Sequence, residues 1–288
     1  MPDTRIVVTG ASGFVGTHLR EALEARGGAV TCASLRDNVD VLDMSALRAL
    51  PEFHSLVHLA GRTFVPDSWK SPRDYYETNV TGTLNCLELC RERNARLILA
   101  STYVYGDPVY LPIDERHPVR HWNPYASSKI LAEQLCEAYA AQFDTPSCIL
   151  RFFNLFGLGQ NTAFLMPQIV HGLHHGRLAL GNPDSRRDFL YIGDAVEAIL
   201  AALDAGCTGC VRFNVGSGVS HRVSDAVRIA QKFLGGDAVV TYNADQRPND
   251  VMDIVANVSL IGERLGWRPR YTLEHGLEMY IRQYLDRI

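Results

Sequence analysis

At 288 residues, with 47% hydrophobic and 21% charged side chains, the chain is long enough to bury a sizeable core and ordinary for a soluble globular protein. Its formal charge of −4 excludes a general nucleic-acid or anionic-membrane surface, since either needs a basic excess. No apolar run reaches the roughly 18 residues of a membrane span, so no membrane partner is expected.

In chain order, residues 6–8 form a compact apolar strand running into a glycine turn, and residues 15–26 a helix. Strands at 29–33, 55–59, 96–100 and 148–152 alternate with helices expected over 75–93 and 126–142. Short strands buried on both faces and separated by helices belong to a parallel doubly wound sheet, so the predicted class is α/β. The second half is less regular. Asp194, with Glu197 three residues on, reads as a cap for a helix over 195–203, and a strand is expected at 211–213. Ser224 and Thr272 read as caps for helices over 225–234 and 273–285. Proline and glycine cluster at 181–184 and 247–249, which predicts loops. No repeat, low-complexity stretch or flexible linker divides the chain, so a second domain would be interleaved with the first.

Seven cysteines without a disulfide-like framework predict reduced thiols in a cytoplasmic protein. The start, MPDTRIVVTGASG, enters a strand with no charged leader and does not read as a signal peptide. Cys207 and Cys210 form a lone CxxC with no second ligand pair, in a turn leading to a strand rather than a helix, so neither a metal site nor a redox site is expected. Cys86 and Cys90 read as packing residues.

Chemistry begins at TGASGFVG, residues 9–16, placed between the first strand and the first helix. Gly10, Gly13 and Gly16 allow a tight turn, close approach of backbone to a pyrophosphate and close helix–strand contact. Ser12, Phe14 and Val15 complete the turn, and the helix start offers free N–H groups to phosphates. At the end of the second strand, where an acid would accept hydrogen bonds from an adenosine ribose, stand Ser34 and, two residues on, Arg36. A small hydroxyl beside an arginine suits a 2′-phosphate, so NADP(H) is favoured. Asp37 nearby leaves NAD(H) possible, and Asp40 with Val41 either meets the adenine or only shapes a turn.

Tyr125 and Lys129 lie four apart at the start of a helix, hence on one face. The chain has 12 tyrosines and only three lysines (Lys70, Lys129 and Lys232), so chance supplies about 0.1 such pairs. A phenol is a poor acid–base at neutral pH until a neighbouring ammonium stabilises its phenolate. Lys129 can also hold a nicotinamide ribose. Ser101 and Thr102, directly after the strand at 96–100, supply a hydroxyl to polarise a reacting carbonyl.

These pieces, taken together, resemble the extended short-chain dehydrogenase/reductases of the NAD-dependent epimerase/dehydratase type that act on nucleotide sugars. The resemblance spans nearly the whole chain: TGASGFVG (9–16), HLAG (58–61), NVTGTLN (79–85), STYVYGD (101–107), PYASSK (124–129), RFFNLFGLGQ (151–160), RRDFLYIGDAV (186–196), FNVGSG (213–218), RPND (247–250) and LGWRP (265–269). It implies a Rossmann-type dinucleotide domain over 1–153, to which part of 184–213 returns. A smaller interleaved sugar-nucleotide domain is implied over 154–288, with homodimers formed through a helix bundle. It further implies Tyr125 as acid–base, Lys129 as its partner and Ser101 as the substrate hydroxyl contact. Leu59, Ala60, Gly61 and Asn79 are implied at the cofactor, and Thr63, Asn154, Arg187, Arg247 and Asp250 at the nucleotide diphosphate sugar. Arginines there also make physical sense, because guanidinium binds phosphate bidentately.

Relatives that dehydrate carry an Asp-Glu pair after the catalytic hydroxyl, where this chain has Thr102 and Tyr103, so 4,6-dehydration is not expected. Two reactions at hexose C4 remain: NADPH-dependent reduction of a 4-keto-6-deoxy sugar, and NAD-dependent 4-epimerisation. Ser34 with Arg36, and the segment AGRTFVPDSWKSP (60–72), point to the reductase. The segments at 124–129, 151–160 and 247–250 resemble epimerases more. A non-catalytic cofactor-binding regulator would be marked by loss of the tyrosine or lysine, and neither is lost.

Overall fold

Ile6, Val7 and Val8 leave the first strand no polar face, so it can only lie inside a sheet covered on both sides. In the computed structural model, which describes residues 5–243 and 251–288, it does. The strands are β1 (Arg5–Thr9), β2 (Ala29–Ala33), β3 (Ser55–His58), β4 (Arg96–Thr102), β5 (Ser147–Phe152), β6 (Asn154–Phe156), β7 (Arg177–Leu180), β8 (Arg186–Tyr191), β9 (Cys210–Val215), β10 (Ser220–Arg222), β11 (Val239–Tyr242) and β12 (Asp253–Ile254). The helices are α1 (Phe14–Ala25), α2 (Met44–Arg48), α3 (Val65–Lys70), α4 (Pro72–Tyr76), α5 (Gly82–Glu92), α6 (Pro124–Phe143), α7 (Leu165–His174), α8 (Ile192–Ala205), α9 (Val223–Leu234), α10 (Ser259–Leu265) and α11 (Leu273–Leu285).

Six strands make one all-parallel sheet in the order β2–β1–β3–β4–β5–β9. The chain steps from β1 outward to β2 and then back across to β3. The crevice at the C-terminal ends of β1 and β3 is therefore the topological switch point, where open α/β sheets bind ligands. One face is covered by α5 and α6, through Leu87, Leu89, Ala132 and Cys136 packed on Val7, Leu56, Leu97 and Leu99. The other carries α1 and α8 and runs on into the second sheet and α7, α9 and α11. That second sheet has the order β10–β8–β12, with β6 also paired to β8. The Rossmann-type α/β architecture is as predicted.

Three local expectations need correction. Asp194 does not cap α8, which starts two residues earlier. It is buried within the first turn, and its carboxylate accepts from the backbone N–H groups of Arg270 (2.9 Å) and Tyr271 (3.0 Å). Ser224 likewise lies inside α9, which follows Arg222, whereas Thr272 does cap α11 through His275 N. The helix expected over 75–93 is interrupted. α4 and α5 are joined by a π-helical turn at Glu77–Thr81, a geometry common at functional sites.

Candidate active site

The first βα turn is built by backbone economy. Gly10 takes φ +67°, and a Cβ there would lie 2.6 Å from the Ala60 amide nitrogen, so the β1 and β3 ends meet only because the side chain is missing. A Cβ on Gly16 would lie 2.3 Å from the Gly10 carbonyl oxygen. α1 follows Gly13 with no side-chain cap, so the N–H groups of its first turn keep their hydrogen-bonding capacity for an anion. This cradle fits a dinucleotide pyrophosphate.

At the end of β2, the buried Ser34 donates its hydroxyl to the Asp37 carboxylate at 2.5 Å, while Arg36 is exposed. Asp40 is exposed, and its carboxylate accepts from Leu42 N in a local turn. Val41 is buried against Gly82, and its carbonyl accepts from Asn85 Nδ2. Spacing alone did not reveal this inward turn of Val41.

Leu59, Ala60 and Gly61 follow β3 at the switch point. Asn79, in the π turn and buried, holds the next residue at both ends: its Oδ1 accepts from Arg62 N (2.8 Å) and its Nδ2 donates to Arg62 O (3.0 Å). The same Nδ2 donates to Ser128 Oγ at 2.9 Å, tying this loop to α6. Asn79 is thus anchored to two structural groups, and Thr63 beyond it is exposed.

α6 starts where it does because Asn123 caps Ala126 N at 2.7 Å and Pro124 fills the first turn, where no N–H is missed. Tyr125, Lys129 and Glu133 then fall on one face, toward β4. Tyr125 is half-buried, edge-on to Tyr75 at 6.3 Å. Burial pushes its phenol above the ordinary value, a hydrogen bond from the Thr102 hydroxyl opposes this, and Tyr103 and Tyr75 push further up. Lys129 is buried, which lowers its ammonium to about 8, against the pull of Glu133 and Cys136.

His58, at the end of β3, is buried with its Nδ1 2.7 Å from Thr9 Oγ1. Burial and the nearby Lys129 lower it to about 3 from 6.5, so it stays neutral in the folded chain. Below pH 6.5 the unfolded chain takes up a proton that the folded chain refuses. Stability from this group is therefore lost as pH falls from 6.5 toward about 3, at about 1.4 kcal/mol per pH unit. His58→Asn should flatten that slope in urea titrations at pH 7, 5.5 and 4; an unchanged slope would refute it.

Pleating sends Leu97, Leu99 and Ser101 to the α6 side of β4. Ser101 accordingly donates its hydroxyl to Glu133 Oε1 at 2.5 Å. Arg151 grips the same carboxylate through Nε (3.1 Å to each oxygen) and Nη2 (2.5 Å to Oε2), both side chains being buried. Its Nη1 donates to Tyr105 OH (2.9 Å), and that hydroxyl donates to Asn214 Oδ1 (2.6 Å). Residue reading missed Glu133, although it continues the four-residue spacing of Tyr125 and Lys129. Arg151 carried a signal too: an arginine in a fully buried strand demands an acid.

Of the residues expected at the sugar nucleotide, Asn154 accepts at Oδ1 from Tyr103 OH (3.2 Å), and its Nδ2 donates to Asp188 O (3.1 Å). Arg187 Nη1 donates to the carbonyls of Arg186 (2.8 Å) and Val251 (2.7 Å). Asp188, also unforeseen, is fully buried and accepts from Ser217 N and Oγ, Gly218 N and Ala256 N, fixing the FNVGSG loop. Arg247 and Asp250 lie outside the described residues. Among the described residues no helix is long and apolar enough to cross a membrane, and no group of three or more His, Cys, Asp or Glu is placed to hold a metal ion.

Comparison with known proteins gives the site a context. Residues 6–216 match the family model described as NAD dependent epimerase/dehydratase family. A GDP-6-deoxy-D-mannose reductase of Pseudomonas aeruginosa is 30% identical over 299 residues, covering 99% of this chain and 98% of that protein. The structure of RMD from Pseudomonas aeruginosa complexed with NADPH superposes with a TM-score of 0.90 at 28% identity, covering 99% of this chain and 100% of the other. A UDP-glucose 4-epimerase of Thermus thermophilus in complex with NAD does so with the same score, identity and coverage.

Proposed function

The chain belongs to the NAD dependent epimerase/dehydratase family, and from that premise we propose that it uses NADPH to reduce the C4 ketone of a nucleotide-linked 4-keto-6-deoxyhexose. The observation that carries this reading is the end of β2. Ser34 puts a hydroxyl where an acid would repel a 2′-phosphate, and the exposed Arg36 has no hydrogen-bond or ion-pair partner among the described residues. The likeness to the reductase of Pseudomonas aeruginosa, over nearly the full length of both chains, supports the same reaction.

Gly10, Ser12, Gly13, Phe14, Val15 and Gly16 would cradle the pyrophosphate, with Ser34 and Arg36 at the adenosine end. Leu59, Ala60, Gly61 and Asn79 would line the nicotinamide side. A bound NADPH supplies the hydride that adds to C4. Tyr125 gives its proton to the ketone oxygen as the carbinol forms, and Lys129, charged below about pH 8, stabilises the phenolate left behind. Asn154 and Arg187, with Thr63, Arg247 and Asp250, would hold the nucleotide diphosphate and sugar. Residues 1–153, joined by α8 and β9, form the cofactor-holding unit in this reading, and most of 154–288 the substrate unit of each protomer in a homodimer.

Asp37 favours a second reading. Its carboxylate lies 2.5 Å from Ser34 Oγ, at the strand end where a ribose diol would be bound, which suits tightly held NAD and 4-epimerisation. The deciding test follows the absorbance of reduced nicotinamide when the protein meets NADPH, then NADH, with GDP-, dTDP- and UDP-4-keto-6-deoxyhexoses. Stoichiometric consumption of NADPH with one of them supports the reductase. No net consumption, with interconversion of unoxidised gluco- and galacto-type nucleotide sugars, replaces it by the epimerase. Arg36→Ala should raise KM for NADPH at least about ten-fold and leave that for NADH unchanged. Equal effects on both cofactors would remove Arg36 from the phosphate site.

A further inference from the structure

β9 stands at the edge of the six-stranded sheet, where outward backbone groups need partners other than a strand. Asn214 is fully buried on that edge and uses both its backbone and the two ends of its side chain. Its backbone N–H donates to Glu115 Oε1 at 2.7 Å, and its Nδ2 donates to the Ile113 carbonyl at 2.9 Å. Its Oδ1 accepts from Tyr105 OH at 2.6 Å, and that hydroxyl accepts in turn from Arg151 Nη1 at 2.9 Å. Arg151 is paired with Glu133 of α6, the helix that carries Tyr125 and Lys129. The same Ile113 carbonyl accepts from Asn257 N at 2.7 Å, while Ile113 N donates to the Val255 carbonyl at 2.8 Å.

Resting on the reading of the site given above, we propose that Asn214, Tyr105 and Glu115 are positioning residues for the nucleotide end of the substrate. They act through Ile113 on residues 251–257, the stretch that Arg187 grips. Arg187 Nη1 donates to the Val251 carbonyl at 2.7 Å, and β12 pairs with β8 at Arg186 and Arg187. Ile113 joins the same stretch by a parallel bridge to Ala256. Side-chain packing agrees with the hydrogen bonds: Tyr105, Ile113, Phe153, Val251, Ile254 and Ala256 form a buried apolar cluster of their own. Residues 251–257 are thus held on two sides, by β8 with Asp188 on one and by Ile113 on the other. The first side belongs to the substrate unit. The second runs through Asn214 into the sheet of the cofactor unit, so Asn214 sets where the nucleotide end stands relative to Tyr125. Removing its amide leaves the Tyr105 hydroxyl without its acceptor and the Ile113 carbonyl with one donor fewer, both of them buried.

Hydrogen-exchange mass spectrometry of the full-length protein reads this joint directly. Asn214→Ala should raise exchange over 251–257 about ten-fold or more and leave the peptides of β1 and β3 within about two-fold. Glu115 is half-buried, so its replacement threatens folding less. Glu115→Ala should loosen the same stretch about five-fold, and Glu115→Gln, which keeps an accepting oxygen, should restore it. Calorimetric titration with GDP, dTDP and UDP should show the diphosphate that binds the parent weakened about ten-fold by Asn214→Ala and by Tyr105→Phe. NADPH affinity, followed by nicotinamide fluorescence, should stay within about two-fold. With the matching nucleotide sugar, KM should rise by a larger factor than kcat falls. Exchange that rises equally in every peptide, or NADPH affinity lost in step with that of the diphosphate, would reduce the three residues to general stability and overturn the proposal. Unchanged exchange over 251–257 in Asn214→Ala would overturn it as well. A parent that binds none of the three diphosphates would sink the nucleotide-sugar reading and with it the nucleotide role of the joint, while exchange still decides whether Asn214 holds 251–257.

Discussion

Tyr125→Phe should lower kcat at least about 1,000-fold while the dissociation constant for reduced nicotinamide cofactor stays within about two-fold. The substitution removes one oxygen and leaves the ring, so the edge-on contact with Tyr75 and the packing of α6 are kept. In the proposed reaction, what is lost is the proton delivered to the sugar oxygen. Lys129→Met should be nearly as damaging, since it removes the charge that makes phenolate accessible. The pH dependence has a definite sign. Lys129 is charged below about 8 and neutral above it, so the rate supported by its charge falls as pH rises through about 8. Rate measured against pH in saturating substrate, with cofactor affinity measured by nicotinamide fluorescence, checks all three statements. Tyr125→Phe retaining a tenth of wild-type kcat would remove Tyr125 from the chemistry.

How far the sequence could be read depended on the range of the physics at each position. The helix period puts Tyr125 and Lys129 on one face whatever surrounds them, so their juxtaposition was legible. Glycine spacing at 10, 13 and 16 was legible for the same reason: steric demands within one turn are local. Asp194 was misread because a short acid ahead of an apolar run looks alike at a helix start and within a first turn. Its partners, Arg270 and Tyr271, are more than 70 residues away. The π turn at Glu77–Thr81 has no residue signature, so the double anchoring of Asn79 emerged only with the fold. At the β2 end the direction of the Ser34 hydroxyl, toward Asp37 rather than outward, depends on side-chain torsion that spacing does not encode. Ser101 and Thr102 show the same limit. Alternation along β4 assigns their faces only once the position of α6 is known.

Gly16→Ala should weaken cofactor binding about 100-fold or more and destabilise the fold by about 3 kcal/mol, the upper range for overpacking a tight contact. The added carbon would sit 2.3 Å from the Gly10 carbonyl oxygen and 2.7 Å from Ala11 Cα. Both obstacles are backbone, so no side-chain rotation relieves the clash. The N-terminus of α1 must then move away from the turn that follows β1. That movement also displaces the first-turn N–H groups offered to the pyrophosphate, which is why one methyl group should cost both stability and affinity. Gly13→Ala separates the two effects, because its Cβ would meet the same carbonyl oxygen at 3.2 Å, a contact that a few tenths of an ångström relieves. Thermal unfolding of Gly13→Ala should stay within about 1 kcal/mol of the parent, while the methyl group on the exposed side of the turn still hinders phosphate approach. Thermal unfolding and nicotinamide fluorescence titration of both variants decide the matter. A Gly16→Ala protein with parental stability and affinity would show that α1 has room to retreat, and the pyrophosphate would then have to be held elsewhere than at this helix start.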